Sequence, residues 1–185
     1  MSFLKNLLLA GLVSTICWLY PVYGMEKIPL AHFCDALAGQ WRGDAAQSRA
    51  HLQQQAQLHS QPQAQSKIVS VDAICSADKR QLIFSVSEHA NYPFSETWWF
   101  REATPEVSLL YYNGVDEDKY QSFSLYEDSN AFTLLGKGVV KQRPVLIQLR
   151  FERQGKGWLW LQNLQYLDED DDHYRLYRAI AMQPQ

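Results

Sequence analysis

The chain has 185 residues, with 17 Lys and Arg against 20 Asp and Glu, so its formal net charge at pH 7 is −3. This mild acidity, without a basic patch, argues against nucleic acid as a partner, because phosphate backbones are bound by clustered Lys and Arg. The length suits a single domain with a substantial core.

The first 24 residues have the layout of a secretory signal peptide. Lys5 gives a positive start, residues 7–20 are apolar and uncharged, and Val22 and Gly24 lie three and one positions before a cut ahead of Met25. The apolar run is short for a membrane span, although an uncleaved anchor is the alternative interpretation. We therefore expect residues 25–185 to form a single-domain mature protein, secreted or periplasmic, with no membrane span.

The three cysteines predict one disulfide. Cys17 is removed with the signal peptide, which leaves Cys34 and Cys75 as an even pair in an exported chain. Two unpaired buried thiols are the alternative. The sequence contains no Cys-x-x-Cys, so it offers no zinc or redox motif.

Residues 28–38 predict one or two turns of helix. Leu30, Phe33 and Leu37 recur on one helical face, and Gly39 ends the helix. Residues 44–66 are rich in Gln and Ala and fit either a half-buried strand or a short helical cap, so their structure is left open.

From residue 67 onward, strand signals with a period of two follow one another at short intervals. The expected strands are residues 67–75, 81–87, 95–102, 107–113, 120–126, 131–135, 138–142, 145–153, 158–167 and 174–182. Turns are expected at 76–79, 114–116, 136–138 and 155–157, and the acidic run 168–172 predicts a solvated hairpin loop. The pattern predicts an all-β fold: one antiparallel up-and-down β-barrel with a short N-terminal helix.

The stretch Gly39-Gln40-Trp41 adds a family resemblance. A Gly-x-Trp at the entrance of the first strand, after a short helical turn, resembles the opening of lipocalins, fatty-acid-binding proteins and related calycin barrels. In that superfamily the Trp plugs one end of the barrel, and a basic residue from the last strand packs across its ring. The resemblance implies a structural role for Trp41, with Arg175 or Arg178 as its partner.

Alternation along the last strand bears on which arginine points inward. The more apolar face of this strand should be buried, and it comprises Tyr174, Leu176, Arg178, Ile180 and Met182. This places Arg178 inside the barrel and Arg175 outside. We expect Arg178 to cover Trp41, and an internal anion-binding role is the alternative. The triplet Arg175-Leu176-Tyr177 also looks like the Arg-x-Tyr with which fatty-acid-binding proteins hold a carboxylate, but this alternation disfavours such a clamp.

The candidate ligand-binding residues are mostly aromatic: Trp99, Tyr112, Trp158, Trp160 and Arg178. Such side chains could line a cavity for an apolar or flat ligand, while ordinary core packing is the alternative. Neighbours such as Trp98-Trp99 and Tyr111-Tyr112 must point to opposite faces of a strand, so one member of each pair lies outside the barrel.

The sequence contains no motif for catalysis. It lacks a nucleophile elbow and a phosphate-binding glycine loop, so an enzyme is not expected. The five histidines show no metal-ligand spacing, no metal site is assigned, and the cofactor is unknown, with a haem ligand left open.

We expect an exported, lipocalin-like protein that binds a small apolar or amphipathic ligand inside the barrel. The alternative is a protein-interaction module, such as an inhibitor or envelope accessory protein, with a filled core. Ligand and oligomeric state are not predicted.

Overall fold

The computed structural model describes residues 26–47, 67–88, 95–113, 119–170 and 173–185. The predicted signal peptide and residues 48–66 lie outside the described residues. In chain order the elements are β1 (Glu26–Lys27), α1 (Leu30–Leu37), β2 (Gly39–Gln47), β3 (Lys67–Cys75), β4 (Gln81–Glu88), β5 (Ser95–Ala103), β6 (Glu106–Tyr112), β7 (Lys119–Glu127), β8 (Ala131–Val140), β9 (Arg143–Gln154), β10 (Gly157–Tyr166) and β11 (Arg175–Pro184). Within these ranges, no helix has the length and apolar character needed to span a membrane.

Ten of the strands close into an antiparallel barrel. From β2 to β11, each strand pairs with the next one along the chain, and β11 returns to pair with β2. The β7–β8 ladder is short and runs only from Ser124 to Glu127, while β1 pairs with the end of β7. The predicted all-β, up-and-down barrel with a short N-terminal helix is confirmed, and it fits a calycin-like fold in general.

One predicted turn is part of the strand β8 instead. Residues 136–138 were expected to form a hairpin, but they continue β8, because their glycines are needed where this strand passes close to β7. A Cβ atom at Gly136 would lie 2.6 Å from the backbone oxygen of Ser122, and one at Gly138 would lie 2.5 Å from Nε2 of Gln121. Glycine within a strand therefore marks close approach here rather than a change of direction.

The helix α1 covers one end of the barrel. Leu30, Phe33 and Leu37 are fully buried, as the helical spacing predicts. The Phe33 ring lies at centroid distances of 4.9 to 6.2 Å from four aromatic rings of the barrel, those of Phe84, Phe100, Phe132 and Phe151. The predicted disulfide is confirmed, and it fastens Cys34 of α1 to Cys75 at the end of β3.

Trp41 is buried beneath this helix, but its expected arginine partner is elsewhere. The indole Nε1 of Trp41 donates a hydrogen bond to the backbone oxygen of Leu37 at 3.0 Å. The β2–β11 register places Pro184 opposite Trp41 and Arg178 opposite Gln47. At about 3.3 Å per residue, Arg178 is therefore roughly 20 Å away along the strand. The prediction that Arg178 covers Trp41 is wrong.

Candidate functional site

The inner surface of the barrel has an apolar half beside α1 and a polar half at the opposite end. Residues directly opposite each other on neighbouring strands share a face, so pairing with buried partners identifies inward side chains. Toward α1 the inward positions carry large apolar side chains such as Phe84, Phe100, Phe151 and Trp158. Toward the other end, the inward positions also carry polar side chains, and these include Glu88, Glu96, Tyr111, Gln121, Gln162 and Arg178. We call this second region the polar half.

An ion pair crosses the interior of the polar half. Arg178 of β11 donates from Nη1 to Oε2 of Glu96 on β5, four strands away around the barrel. The carboxylate is buried, with 5% of the residue exposed, and its Oε2 also accepts a hydrogen bond from Trp98 Nε1 at 3.1 Å. Removing one partner of such a pair typically costs about 3–5 kcal/mol, because the remaining charge is left uncompensated in a poor solvent. The pair therefore holds two sides of the barrel at a fixed spacing.

Two tryptophans form an apolar floor beneath this ion pair. The rings of Trp98 and Trp160 meet edge to face with a centroid distance of 5.0 Å, and Trp160 stacks on Phe151 at 5.2 Å. The Arg178 guanidinium lies 5.9 Å from the Trp160 ring, within reach of a cation–π contact. Trp160, rather than Trp41, is the indole that the last-strand arginine faces.

Tyr111 completes the cluster as a hydrogen-bond donor. Its ring lies 4.5 Å from that of Trp98, its partner across the β5–β6 ladder. Burial, and next the negative charge of Glu96, raise the pKa of the Tyr111 hydroxyl well above its ordinary value, although Arg178 opposes this shift. A hydrogen bond between this hydroxyl and the Glu96 carboxylate raises the pKa further, so the phenol acts as a donor within the cluster.

A β-bulge in β11 lies next to the cluster. Gln162 pairs with Arg178, while the next residue, Asn163, pairs with Leu176, so Tyr177 is the additional residue on β11. A bulge of this kind redirects side chains, often beside functional sites. The expectation that Leu176 shares the buried face is wrong for this reason, since its side chain is 42% exposed.

The predicted site residues separate into two groups. Trp160 and Arg178 belong to the cluster, and the expectation that Arg178 points inward agrees with its pairing. Trp158 is buried in the apolar half, where it lines an outer groove of about 440 Å³ beside α1. Trp99 and Tyr112 lie on the outer face of the barrel, so the expectation that they line its interior is wrong.

Three residues of the cluster were not among the predicted site residues. Glu96, Trp98 and Tyr111 occupy the inward positions next to Thr97, Trp99 and Tyr112. One signal in the sequence does identify Glu96: it alternates with Trp98 and Phe100 and therefore shares their buried face. A carboxylate on such a face needs a partner, and Arg178 was already expected inside the barrel.

The described residues lack a cluster of metal-ligating side chains. They contain no group of three or more His, Cys, Asp or Glu side chains arranged to hold one. The polar half presents carboxylate, guanidinium, amide and phenol groups above an indole floor.

Comparison with known proteins places the fold. No protein-family model matches the chain, and no curated protein matches it either. Among solved structures, a chain of the crystal structure of Rv2717c from M. tuberculosis matches over 86% of this chain and 99% of its own length. The TM-score is 0.53 and the sequence identity is 14%, so the likeness concerns the fold alone. This chain is thus an antiparallel ten-stranded barrel whose architecture is similar to that of Rv2717c.

Proposed function

We propose that the protein is an exported, lipocalin-like binder that holds a small amphipathic ligand in the polar half of its barrel. The observation that carries this proposal is the concentration of polar inward side chains, Glu96 and Arg178 among them, at one end of an otherwise apolar interior. Burying polar groups costs free energy unless each is satisfied, and a polar ligand at this end would supply hydrogen-bond partners. Export is supported by the disulfide and by the signal-like N-terminus.

The chemistry of the polar half supports binding without turnover. Trp98 and Trp160 offer an apolar surface for a flat ring system, and Tyr111, Gln121 and Gln162 offer hydrogen-bonding groups that fix its orientation. The aromatic packing around Phe33 fills the half beside α1, so the ligand occupies the end away from the helix.

A dye titration tests this function. The neutral dye N-phenylnaphthylamine is flat and amphipathic, and its emission rises in apolar surroundings, so it should bind with saturation and accept energy from the tryptophans. Ala45, which opposes buried Ile180 and points inward, should become an obstacle as Ala45→Phe and weaken binding about tenfold or more. The matched control is Ala181→Phe on the neighbouring strand, which points outward and should leave the dye affinity unchanged. Equal affinities for the two variants would refute an internal site.

A protein-interaction module is the second candidate function. An in-register row of apolar side chains crosses the outer face from β3 to β7, and its two ends are 65% and 59% exposed; it comprises Ile74, Ile83, Trp99, Leu110 and Tyr120. Exposed apolar patches of this kind often bind proteins. A wild-type protein that takes up no dye but self-associates through this row, and loses self-association as Ile74→Ser, would favour the second candidate.

A further inference from the structure

The ion pair in the polar half balances its own charge inside the protein. Glu96 is almost completely buried, and the Arg178 side chain is only 16% exposed, so water screens neither group well. The charges of one carboxylate and one guanidinium sum to zero. An ionic ligand that entered beside them would therefore bring an uncompensated charge into the barrel.

Arg178 nevertheless has hydrogen-bonding capacity to spare. A guanidinium has five N–H donors. Among the described residues, Glu96 is the only acceptor that Arg178 reaches. Arg178 therefore retains donors that a neutral carbonyl or hydroxyl oxygen of a ligand can satisfy.

We propose that Glu96 determines ligand specificity by restricting the polar half to uncharged ligands that carry a hydrogen-bond acceptor. This inference rests on the proposed function. The carboxylate of Glu96 already occupies Arg178, and a ligand carboxylate or sulfonate at the same guanidinium would lie within a few Å of a like charge. At that distance and in these surroundings, like charges weaken binding by roughly tenfold to a hundredfold.

Two dyes with the same ring system test the charge preference. N-phenylnaphthylamine is neutral, and anilinonaphthalene sulfonate adds one negative charge to the same scaffold. The wild-type protein should bind the neutral dye at least about tenfold more tightly. In Glu96→Gln, Arg178 loses its counter-ion, while the new amide oxygen can still accept the hydrogen bond from Trp98. The affinity for the sulfonated dye should therefore rise about tenfold or more. The readout is the ratio of the two dye affinities, which should shift about tenfold or more toward the sulfonated dye in Glu96→Gln.

Matched variants separate this effect from a change in total charge. Glu102→Gln removes the same charge from the same strand, where Glu102 pairs with Arg80 at 2.9 Å near the surface, and it should not alter the preference between the dyes. The double variant Glu96→Gln, Arg178→Gln removes both internal charges, so the gain for the sulfonated dye should disappear. Because Glu96→Gln leaves a buried guanidinium unpaired, circular dichroism should first show that each variant is folded.

The possible outcomes distinguish the two proposals. If the wild-type protein binds both dyes internally with equal affinity, the role of Glu96 is overturned whether or not the variants fold. If Glu96→Gln is folded and its dye preference does not change, the role of Glu96 is overturned as well. If the wild-type protein binds neither dye, the proposed ligand-binding function fails, and the inference fails with it.

Discussion

Replacing Phe33 with alanine should destabilise the protein strongly and leave ligand binding almost unchanged. Phe33 is fully buried in α1 and contacts four barrel rings, and Phe→Ala changes at such positions cost about 3–5 kcal/mol. We expect about 4 kcal/mol here, because the four surrounding rings lie on four strands in two separate parts of the sheet, β4–β5 and β8–β9, and cannot all move into the space. Urea unfolding followed by circular dichroism would measure the free energy directly.

The control is Phe33→Leu, which keeps most of the apolar volume and should lose about 1–1.5 kcal/mol. In both variants the dye affinity should stay within about threefold of the wild-type value, since the polar half lies at the other end of the barrel. A loss below about 1 kcal/mol for Phe33→Ala would show that α1 is not part of the core. A folded Phe33→Ala protein that no longer binds dye would refute the division of the interior into two halves.

Three further predictions concern the disulfide, a glycine and a tyrosine. Removing the bridge as Cys34→Ala, Cys75→Ala opens a loop with a sequence separation of 41 and should lower the unfolding free energy by about 4 kcal/mol; an unchanged urea midpoint would contradict this. Gly157→Ala would place a Cβ atom 2.0 Å from the backbone oxygen of Met182 and should cost at least about 2 kcal/mol, whereas Gly155→Asn, with open space around it, should cost less. The pKa of Tyr111 is raised in the folded state, so above about pH 10 the unfolded chain releases this proton first and stability falls as pH rises; Tyr111→Phe should remove that part of the fall in pH-dependent unfolding experiments.

The strand pattern could be predicted because each barrel strand buries only one face. In β9, Val145, Ile147, Leu149 and Phe151 alternate with polar residues, and all four are buried. The helix that caps the barrel was also predictable, because its apolar residues recur at helical spacing. These signals are local, so one sequence is sufficient to detect them.

The site could not be predicted to the same extent, because it depends on long-range register. In Trp98-Trp99 and Tyr111-Tyr112, both neighbours are amphipathic aromatics, so composition does not reveal which one faces inward. Pairing across β4, β5 and β6 decides this, and it turns Trp99 and Tyr112 outward. The bulge at Tyr177 also depends on long-range register. It is defined by the pairing of β11 with β10, so the alternation of residues within β11 alone cannot reveal it.

The pairing of β2 with β11 has a consequence for how the protein reaches its folded state. Ala45 lies opposite Ile180, so the seam of the barrel joins residues from opposite ends of the described chain. Until β11 is available, β2 and β10 each present an unpaired edge, and exposed edges invite pairing with other chains. Contacts between such distant residues also form late, because the intervening chain must first be ordered. Loss of β11 should therefore affect the whole barrel, and during synthesis the chain remains vulnerable to aggregation until its last strand emerges.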